Sequence, residues 1–206
     1  MDEGRYIWRK LNNKRRNELL QWRQRQRHPW HSPPHRVSEH FHYHITAACY
    51  VHRAHIGLSL ERMDAFSHDL LAVSKNDAQE YIVVWCVMPN HYHMLLAMAD
   101  ILGFLGRLGK LHGRTSFHWN GEETTRGRKV WFNAVERALR SERHYWATIN
   151  YVHHNPVHHG YVKKWDNWPF SSSRDYLEAI GRQKALETWR NYPVLDYGKG
   201  WDDPEL

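Results

Sequence analysis

The sequence predicts an α+β fold in which helices cover one face of an antiparallel sheet. Short runs rich in β-branched and aromatic residues are separated by longer amphipathic runs, and a Pro-Asn turn joins two of the strand-like runs. At 206 residues the chain can form one compact domain with extensions. It is too short for two domains of ordinary size.

The first half of the domain is predicted to contain three strands and one helix. A strand over residues 42–51 is indicated by its β-branched and aromatic residues, and residues 60–76 show apolar side chains at helical steps. The continuous apolar run over residues 81–88 indicates a buried strand. Met88-Pro89-Asn90 interrupts this run before it resumes over residues 91–98, so we expect a hairpin.

The second half is predicted to contain helix, strand and helix. Leucines recur at helical spacing over residues 101–119, and residues 130–139 favour a strand. A final helix is expected to begin after Ser141, whose side-chain oxygen can accept from a free amide of the first turn. We expect Asn155-Pro156 to end that helix, because the residue before a proline disfavours the helical conformation.

Extensions flank the predicted domain on both sides. Residues 5–27 have the pattern of a basic amphipathic helix, and a proline-rich connector follows. These features predict an N-terminal segment over residues 1–38, a domain over 39–178 and a tail over 179–206. There is no signal-peptide pattern and no window of about 18 apolar residues. We therefore expect a cytoplasmic protein that has no membrane partner.

The charge balance indicates a polyanionic partner. Lysine and arginine outnumber acidic residues 29 to 22, and eleven tryptophans and eleven tyrosines accompany them. Such a chain can pair phosphates with cations and stack unpaired bases on aromatic rings, although packing is the better explanation for any single ring. Arg107, Lys110 and Arg114 lie opposite the leucine stripe of their helix and are candidate contacts to the phosphates of such a partner. A merely solvated basic face is the alternative.

His91 and His93 form a candidate metal site. Residues two apart on a strand project from the same face, so the two imidazoles can converge on one ion. Imidazole binds several divalent metals, and two nitrogens leave positions open for water and a phosphate oxygen. Because the chain contains 18 histidines, surface or hydrogen-bonded histidines are the better explanation of the pair when it is taken alone.

Tyr151 and Asn155 supply what the histidine pair lacks. They are four residues apart on the predicted final helix, so the phenol and the carboxamide share one face. A tyrosine can attack a phosphate covalently, and a carboxamide oxygen could complete a metal shell. Viewed on its helix alone, Tyr151 also fits an ordinary core position.

Taken in order, these motifs resemble the HUH single-tyrosine transposases, and within them the REP-associated tyrosine transposases. The resemblance spans roughly residues 39 to 178, and its motifs are specific in combination rather than singly. The matching segments are Val87-Met88-Pro89-Asn90-His91-Tyr92-His93, then Tyr151-Val152-His153-His154-Asn155-Pro156-Val157, then Trp168-Pro169-Phe170-Ser171-Ser172-Ser173 before Tyr176. We assign no chemistry to the last segment and expect it to anchor the chain after the tyrosine helix.

The resemblance implies a ferredoxin-like domain with the catalytic tyrosine on its last helix. His91, His93 and Asn155 would hold Mg²⁺ or Mn²⁺, and Tyr151 would attack single-stranded DNA to form a 5′-phosphotyrosine link. Related enzymes often carry glutamine at the position of Asn155, whose shorter arm makes direct coordination less secure. The implied substrates are hairpins of repetitive extragenic palindromes with a tetranucleotide beside the stem. The implied assembly is a monomer or a homodimer.

Two other functions fit the same sequence. A non-catalytic protein could bind DNA hairpins through its basic surface, although the presence of the full residue set speaks against this. A metal-dependent hydrolase could activate water at the histidine pair and use Tyr151 only for packing. The tryptophan-containing tail, Gly198-Lys199-Gly200-Trp201-Asp202-Asp203, resembles extensions seen in some family members, and we hypothesise that it docks over the active cleft.

Overall fold

The computed structural model describes residues 42–74, 81–195 and 197, together with Asn12, Lys14 and Glu18. The chain divides into two units, one formed by Met1–Arg36 with Gly198–Leu206 and the other by Val37–Tyr197. Lys14 and Glu18 are helical. The rest of the predicted N-terminal helix, the connector and the tail beyond Tyr197 lie outside the described residues.

The second unit is built on a four-stranded antiparallel sheet, as the sequence predicts. Its strands are β1 (His42–Ala48), β2 (Tyr81–Val87), β3 (His91–Ala97) and β4 (Val135–Ala138), in the order β2-β3-β1-β4. β4 is shorter than the predicted strand over 130–139. The chain turns into a 3-10 helix at Tyr50–His52 soon after β1 ends, so the residues before β4 find only an isolated bridge between Trp131 and Cys49.

Two helices cover one face of this sheet. They are α1 (Leu60–Val73), capped by the Ser59 side chain, and α2 (Ile101–Glu122), capped by the Asp100 side chain. Their apolar stripes pack against the residues of β1 and β3 that point to this face. The core there includes Tyr43, Ile45, Phe66, Tyr92, Met94, Leu96, Phe104 and Leu108. None of the helices in the described ranges is long and apolar enough to cross a membrane.

A third helix, α3 (Glu142–His158), lies against the opposite face and packs on β2 and β3. Ser141 caps it as expected, its Oγ accepting from the His144 amide at 3.1 Å. The prediction that Asn155-Pro156 ends this helix was wrong, because Pro156 lies inside it. A proline near the last turn removes only one backbone hydrogen bond, so the helix continues until Gly160 adopts a positive φ of 73°.

Two short helices follow, so α3 is not the last helix of this unit. They are α4 (Ser173–Ile180) and α5 (Arg182–Asn191). Their side chains are mostly charged or exposed, which hid them from a reading of apolar periodicity. α5 packs on α3, where Asn150 Nδ2 donates to the Tyr192 carbonyl at 2.8 Å and Trp189 contacts the His154 ring. The unit thus extends past residue 178, where the sequence analysis ended the domain.

The segment between α3 and α4 is anchored to the edge of the sheet. The Val87 amide donates to the Phe170 carbonyl at 2.8 Å, and the Ser172 amide donates to the Trp85 carbonyl at 3.0 Å. Trp168 Nε1 donates to the Val87 carbonyl at 2.9 Å. These bonds confirm the anchoring role expected for the Trp-Pro-Phe-Ser-Ser-Ser segment.

Candidate active site

His91 and His93 lie side by side on β3 and face α3. Their ring centroids are 5.1 Å apart, and both side chains are buried. Tyr92, between them, points to the other face and belongs to the apolar core under α1 and α2. The alternation of the strand therefore places the two imidazoles together, as the sequence predicts.

Asn90 fixes the orientation and the tautomer of His91. Asn90 Nδ2 donates to the His52 carbonyl at 3.2 Å, which turns Asn90 Oδ1 toward His91 Nδ1 at 2.7 Å. Because an amide oxygen only accepts, Nδ1 of His91 carries the proton and donates it. In the neutral ring, Nε2 is then left with its lone pair.

The lone pair of His91 Nε2 faces the carboxamide of Asn155. Nε2 lies 2.9 Å from Asn155 Oδ1, and both side chains are buried. Two electron-pair donors at this distance suit a shared cation, and a hydrogen-bonded partner on the other ring nitrogen is typical of a metal-ligating histidine. This donor set fits a divalent ion. Among the described residues no group of three His, Cys, Asp or Glu could hold a metal, so the carboxamide would have to contribute.

The loop that presents the His52 carbonyl is strained. Val51 and His52 have positive φ values of 59° and 49°. This conformation is costly for a β-branched residue and persists only where the surroundings enforce it. Here it places a backbone acceptor on Asn90, which in turn orients His91.

Tyr151 and Asn155 lie one turn apart on α3, over the histidine pair. The Tyr151 side chain is buried, and its ring meets the His93 ring edge-on with centroids 5.1 Å apart. The structure therefore brings together the four residues that the sequence singled out, His91, His93, Tyr151 and Asn155.

The same face contains three polar residues that the sequence analysis did not single out. His44 and Thr46 on β1 contact His93 Nδ1 through Nε2 at 3.2 Å and Oγ1 at 3.0 Å. Tyr197 stands beyond α5, and its ring contacts those of His44 and Tyr151. The period-two pattern His42-x-His44-x-Thr46 was a visible signal for a polar strand face. Nothing local marks Tyr197, because its approach depends on tertiary packing.

Arg137 on β4 adds positive charge to this face. It pairs in register with His44 and is half-buried. Burial lowers the pKa of Arg137, and its electrostatic attraction to the Tyr197 and Tyr151 hydroxyls acts in the opposite direction. Burial also raises the pKa of Tyr197, while its hydrogen bond with Thr148 and the charge of Arg137 partly oppose that rise.

The three basic residues predicted to bind DNA lie elsewhere. Arg107, Lys110 and Arg114 belong to α2, which covers the face opposite to the histidine pair. Arg107 Nε donates to the Val73 carbonyl at 3.3 Å, and Arg114 forms an exposed ion pair with Asp69 at 2.9 Å. The structure does not bring these residues together with His91 and His93, and their contact with DNA stays a prediction.

The site thus consists of a histidine pair on the sheet of an antiparallel α+β domain, opposed by a tyrosine and a carboxamide on one helix. The chain is 28% identical over 105 residues to the REP-associated tyrosine transposase of Escherichia coli (strain K12), which covers 51% of this chain and 61% of that protein. The resemblance to the REP-associated tyrosine transposases is thus confirmed. No protein-family model matches the chain.

A solved structure agrees in fold. The structure of a REP-associated tyrosine transposase bound to a REP hairpin superposes with a TM-score of 0.55, at 21% sequence identity, over 70% of this chain and 84% of that one. At this identity the likeness establishes the shared fold.

Proposed function

We propose that the protein is a metal-dependent enzyme that nicks and rejoins single-stranded DNA through a covalent 5′-phosphotyrosine intermediate. The observation that carries the proposal is the placement of Tyr151 and Asn155 on one face of α3, against His91 and His93. A nucleophile beside a potential cation site is the arrangement that phosphoryl transfer needs.

Tyr151 is the nucleophile. Its phenolic oxygen forms a bond to the phosphorus and loses its proton, while the bond from phosphorus to the 3′ oxygen breaks and that oxygen takes up a proton. The products are a 5′-phosphotyrosine link and a free 3′-hydroxyl. The reverse reaction joins strands without a nucleotide cofactor, because the energy of the phosphodiester is kept in the protein–DNA link.

His91, His93 and Asn155 would hold Mg²⁺ or Mn²⁺. A bound divalent ion would withdraw charge from a phosphoryl oxygen. Asn90 keeps His91 in the tautomer that a ligand requires. Arg137, whose charge interacts with the Tyr151 hydroxyl, would offset the negative charge of the DNA on the same face.

The proposed substrate is a DNA hairpin of the REP type with a single-stranded flank. The similar solved transposase is bound to a REP hairpin, and the present chain carries a formal net charge of +7. Phosphate contacts would supply most of the affinity and position the flank, as is usual for protein–DNA complexes. Arg107, Lys110 and Arg114 would contribute only if the duplex reaches the α2 face.

The decisive experiment follows the 5′ end of the cleaved strand. A hairpin with a flank labelled at its 3′ end is incubated with the full chain and Mn²⁺, then run on a denaturing gel. We expect a labelled protein–DNA adduct, which Tyr151→Phe abolishes. Tyr145→Phe removes a hydroxyl from the same helix outside the site and should leave the adduct unchanged.

Two outcomes would contradict the proposal. Cleavage without an adduct, at equal rates in the wild type and in Tyr151→Phe, would indicate a hydrolase that activates water. Hairpin binding with neither cleavage nor adduct would indicate a non-catalytic DNA-binding protein.

A further inference from the structure

A chain of hydrogen bonds runs from α3 through Tyr197 and His44 to His93. Thr148 Oγ1 lies 2.7 Å from the His144 carbonyl and 2.6 Å from the Tyr197 hydroxyl. The Tyr197 hydroxyl lies 3.4 Å from His44 Nδ1, and His44 Nε2 lies 3.2 Å from His93 Nδ1. Nothing in the proposed reaction uses His44 or Tyr197 directly.

The direction of each bond in this chain follows from its first member. The His144 carbonyl can only accept, so the Thr148 hydroxyl donates its one proton to that oxygen. Tyr197 then donates to Thr148 Oγ1 at 2.6 Å or to His144 Nε2 at 3.2 Å, and in either case its oxygen is the acceptor for His44 Nδ1.

The imidazoles continue the same direction. A neutral His44 that donates from Nδ1 has only a lone pair at Nε2, so a hydrogen bond between the two rings requires the proton to be on His93 Nδ1. Thr46 Oγ1, at 3.0 Å from His93 Nδ1 and 3.5 Å from His44 Nε2, is compatible with this direction. His93 Nε2 is then the nitrogen that keeps a lone pair.

We propose that His44, held by Tyr197, is a positioning residue that fixes His93 in the tautomer protonated at Nδ1, so that Nε2 is available to a metal ion. The inference about the metal rests on the proposed function, whereas the inference about the tautomer does not. Asn90 performs the same task for His91 through an amide oxygen. The orientation of each histidine is thus set by a different partner, Asn90 in the turn between β2 and β3 for His91 and His44 on β1 for His93.

The tautomer of His93 is measured directly by two-bond ¹H–¹⁵N correlation spectra of the metal-free full chain, at a pH above the histidine titrations. The signals are assigned by their loss in His93→Gln. We expect the wild type to show Nδ1 protonated. His44→Phe keeps a ring but offers no acceptor, and should shift His93 toward the form protonated at Nε2, since Thr46 can also donate to Nδ1.

Rescue and control variants separate positioning from packing. In His44→Gln, the glutamine side chain can place an acceptor oxygen near His93 Nδ1, and His93 should return to the tautomer protonated at Nδ1. Tyr197→Phe removes only the hydroxyl that orients His44, and should give a mixture of forms at His93. Tyr192→Phe removes a hydroxyl that contacts Glu142 at 3.3 Å and takes no part in the hydrogen bonds from Thr148 to His93. It should leave the tautomer of His93 unchanged.

Mn²⁺ affinity, followed by electron paramagnetic resonance of the free ion, provides a second readout. We expect His44→Phe and Tyr197→Phe to weaken Mn²⁺ binding by about tenfold or more, because partners behind a ligand typically contribute about 10- to 100-fold. The proposal is overturned by wild-type His93 protonated at Nε2, or by an unchanged tautomer in both variants. If the tautomers behave as expected but the wild type binds no Mn²⁺, the positioning role of His44 is supported and the proposed metal-dependent function is contradicted.

Discussion

The two faces of the sheet share strands β1 and β3 but carry opposite chemistry. Tyr92 and Met94 lie in an aromatic and aliphatic core, whereas His91 and His93 meet polar partners on β1 and α3. All four side chains are at most 1% exposed, so burial does not distinguish the faces. The difference lies in what each face requires, because buried apolar atoms need close packing and buried polar atoms need hydrogen bonds. We expect the apolar face to determine stability and the polar face to determine chemistry.

The largest expected effect is the loss of nicking in His91→Ala on the polar face. The variant lacks one proposed metal ligand, so cleavage should fall below detection, while hairpin binding persists through phosphate contacts spread over the surface. Nicking, gel-shift and urea-unfolding assays are run in parallel. His68→Ala, at an exposed histidine of α1, is the control. Nicking by His91→Ala at the wild-type rate would contradict the role of His91 as a metal ligand.

Phe104→Ala on the apolar face should reduce stability most. The ring is fully buried between α2 and the sheet, so its truncation should lower the free energy of unfolding by about 3–5 kcal/mol. Phe117→Ala removes a ring of the same helix that is 72% exposed, and should cost less than about 1 kcal/mol. Equal urea midpoints for the two variants would contradict this assignment of the core.

On each side of the sheet, one buried histidine has a pKa well below the ordinary value and makes stability depend on pH. Burial lowers the pKa of His112, which stacks on Trp131, to about 4 and that of His153 on α3 to about 3. In the unfolded chain both histidines become protonated below about pH 6.5, whereas in the folded protein they stay neutral until the pH approaches their lowered pKa values. The free energy of unfolding should therefore fall as pH drops from about 6.5 toward 4, by roughly 1.4 kcal/mol per pH unit for each histidine.

Single substitutions test this pH dependence. His112→Gln and His153→Gln should each reduce the slope of unfolding free energy against pH by about one proton, measured by urea unfolding across that range. His118→Gln, at a surface position of α2, is the matched control. A slope that stays the same in both buried variants would show that these histidines are protonated in the folded state.

The smallest expected effects are those of the helix caps. Ser59 caps α1 on one face of the sheet and Ser141 caps α3 on the other; they accept from backbone amides at 3.2 Å and 3.1 Å, respectively. Each serine-to-alanine change should lower the free energy of unfolding by about 1 kcal/mol, and Ser141→Asp should retain the cap. A shift in urea midpoint above that of Phe104→Ala would contradict a purely local role.

The sequence was sufficient for features that depend on local periodicity. Alternation on β3 predicted that His91 and His93 share a face, and helical spacing predicted that Tyr151 and Asn155 do. The prediction that the two pairs meet on one face of the sheet came from the order of the elements and from the family resemblance. The predicted helix end was wrong because it relied on the local tendency of proline to stop a helix. At Pro156, near the last turn, the proline removes only one backbone hydrogen bond, and the helix continues.

Features that depend on tertiary packing could not be predicted. Tyr197 reaches His44 only because α5 packs on α3 and returns the chain to the sheet. The sequence placed Arg107, Lys110 and Arg114 opposite the leucine stripe of α2, but it could not show on which face of the sheet α2 lies. A hydrophobic pattern does not specify which of two faces a helix will cover.

The hydrogen bonds that join Phe170 and Ser172 to β2 also affect how the protein meets copies of itself. β2 is a terminal strand of the sheet, and an open strand edge is a template for pairing with another chain. The bridge between Cys86 and Ser171 closes that edge near Val87, and the opposite terminal strand, β4, is only four residues long. A short strand and a covered strand together disfavour edge-to-edge pairing between copies of the protein.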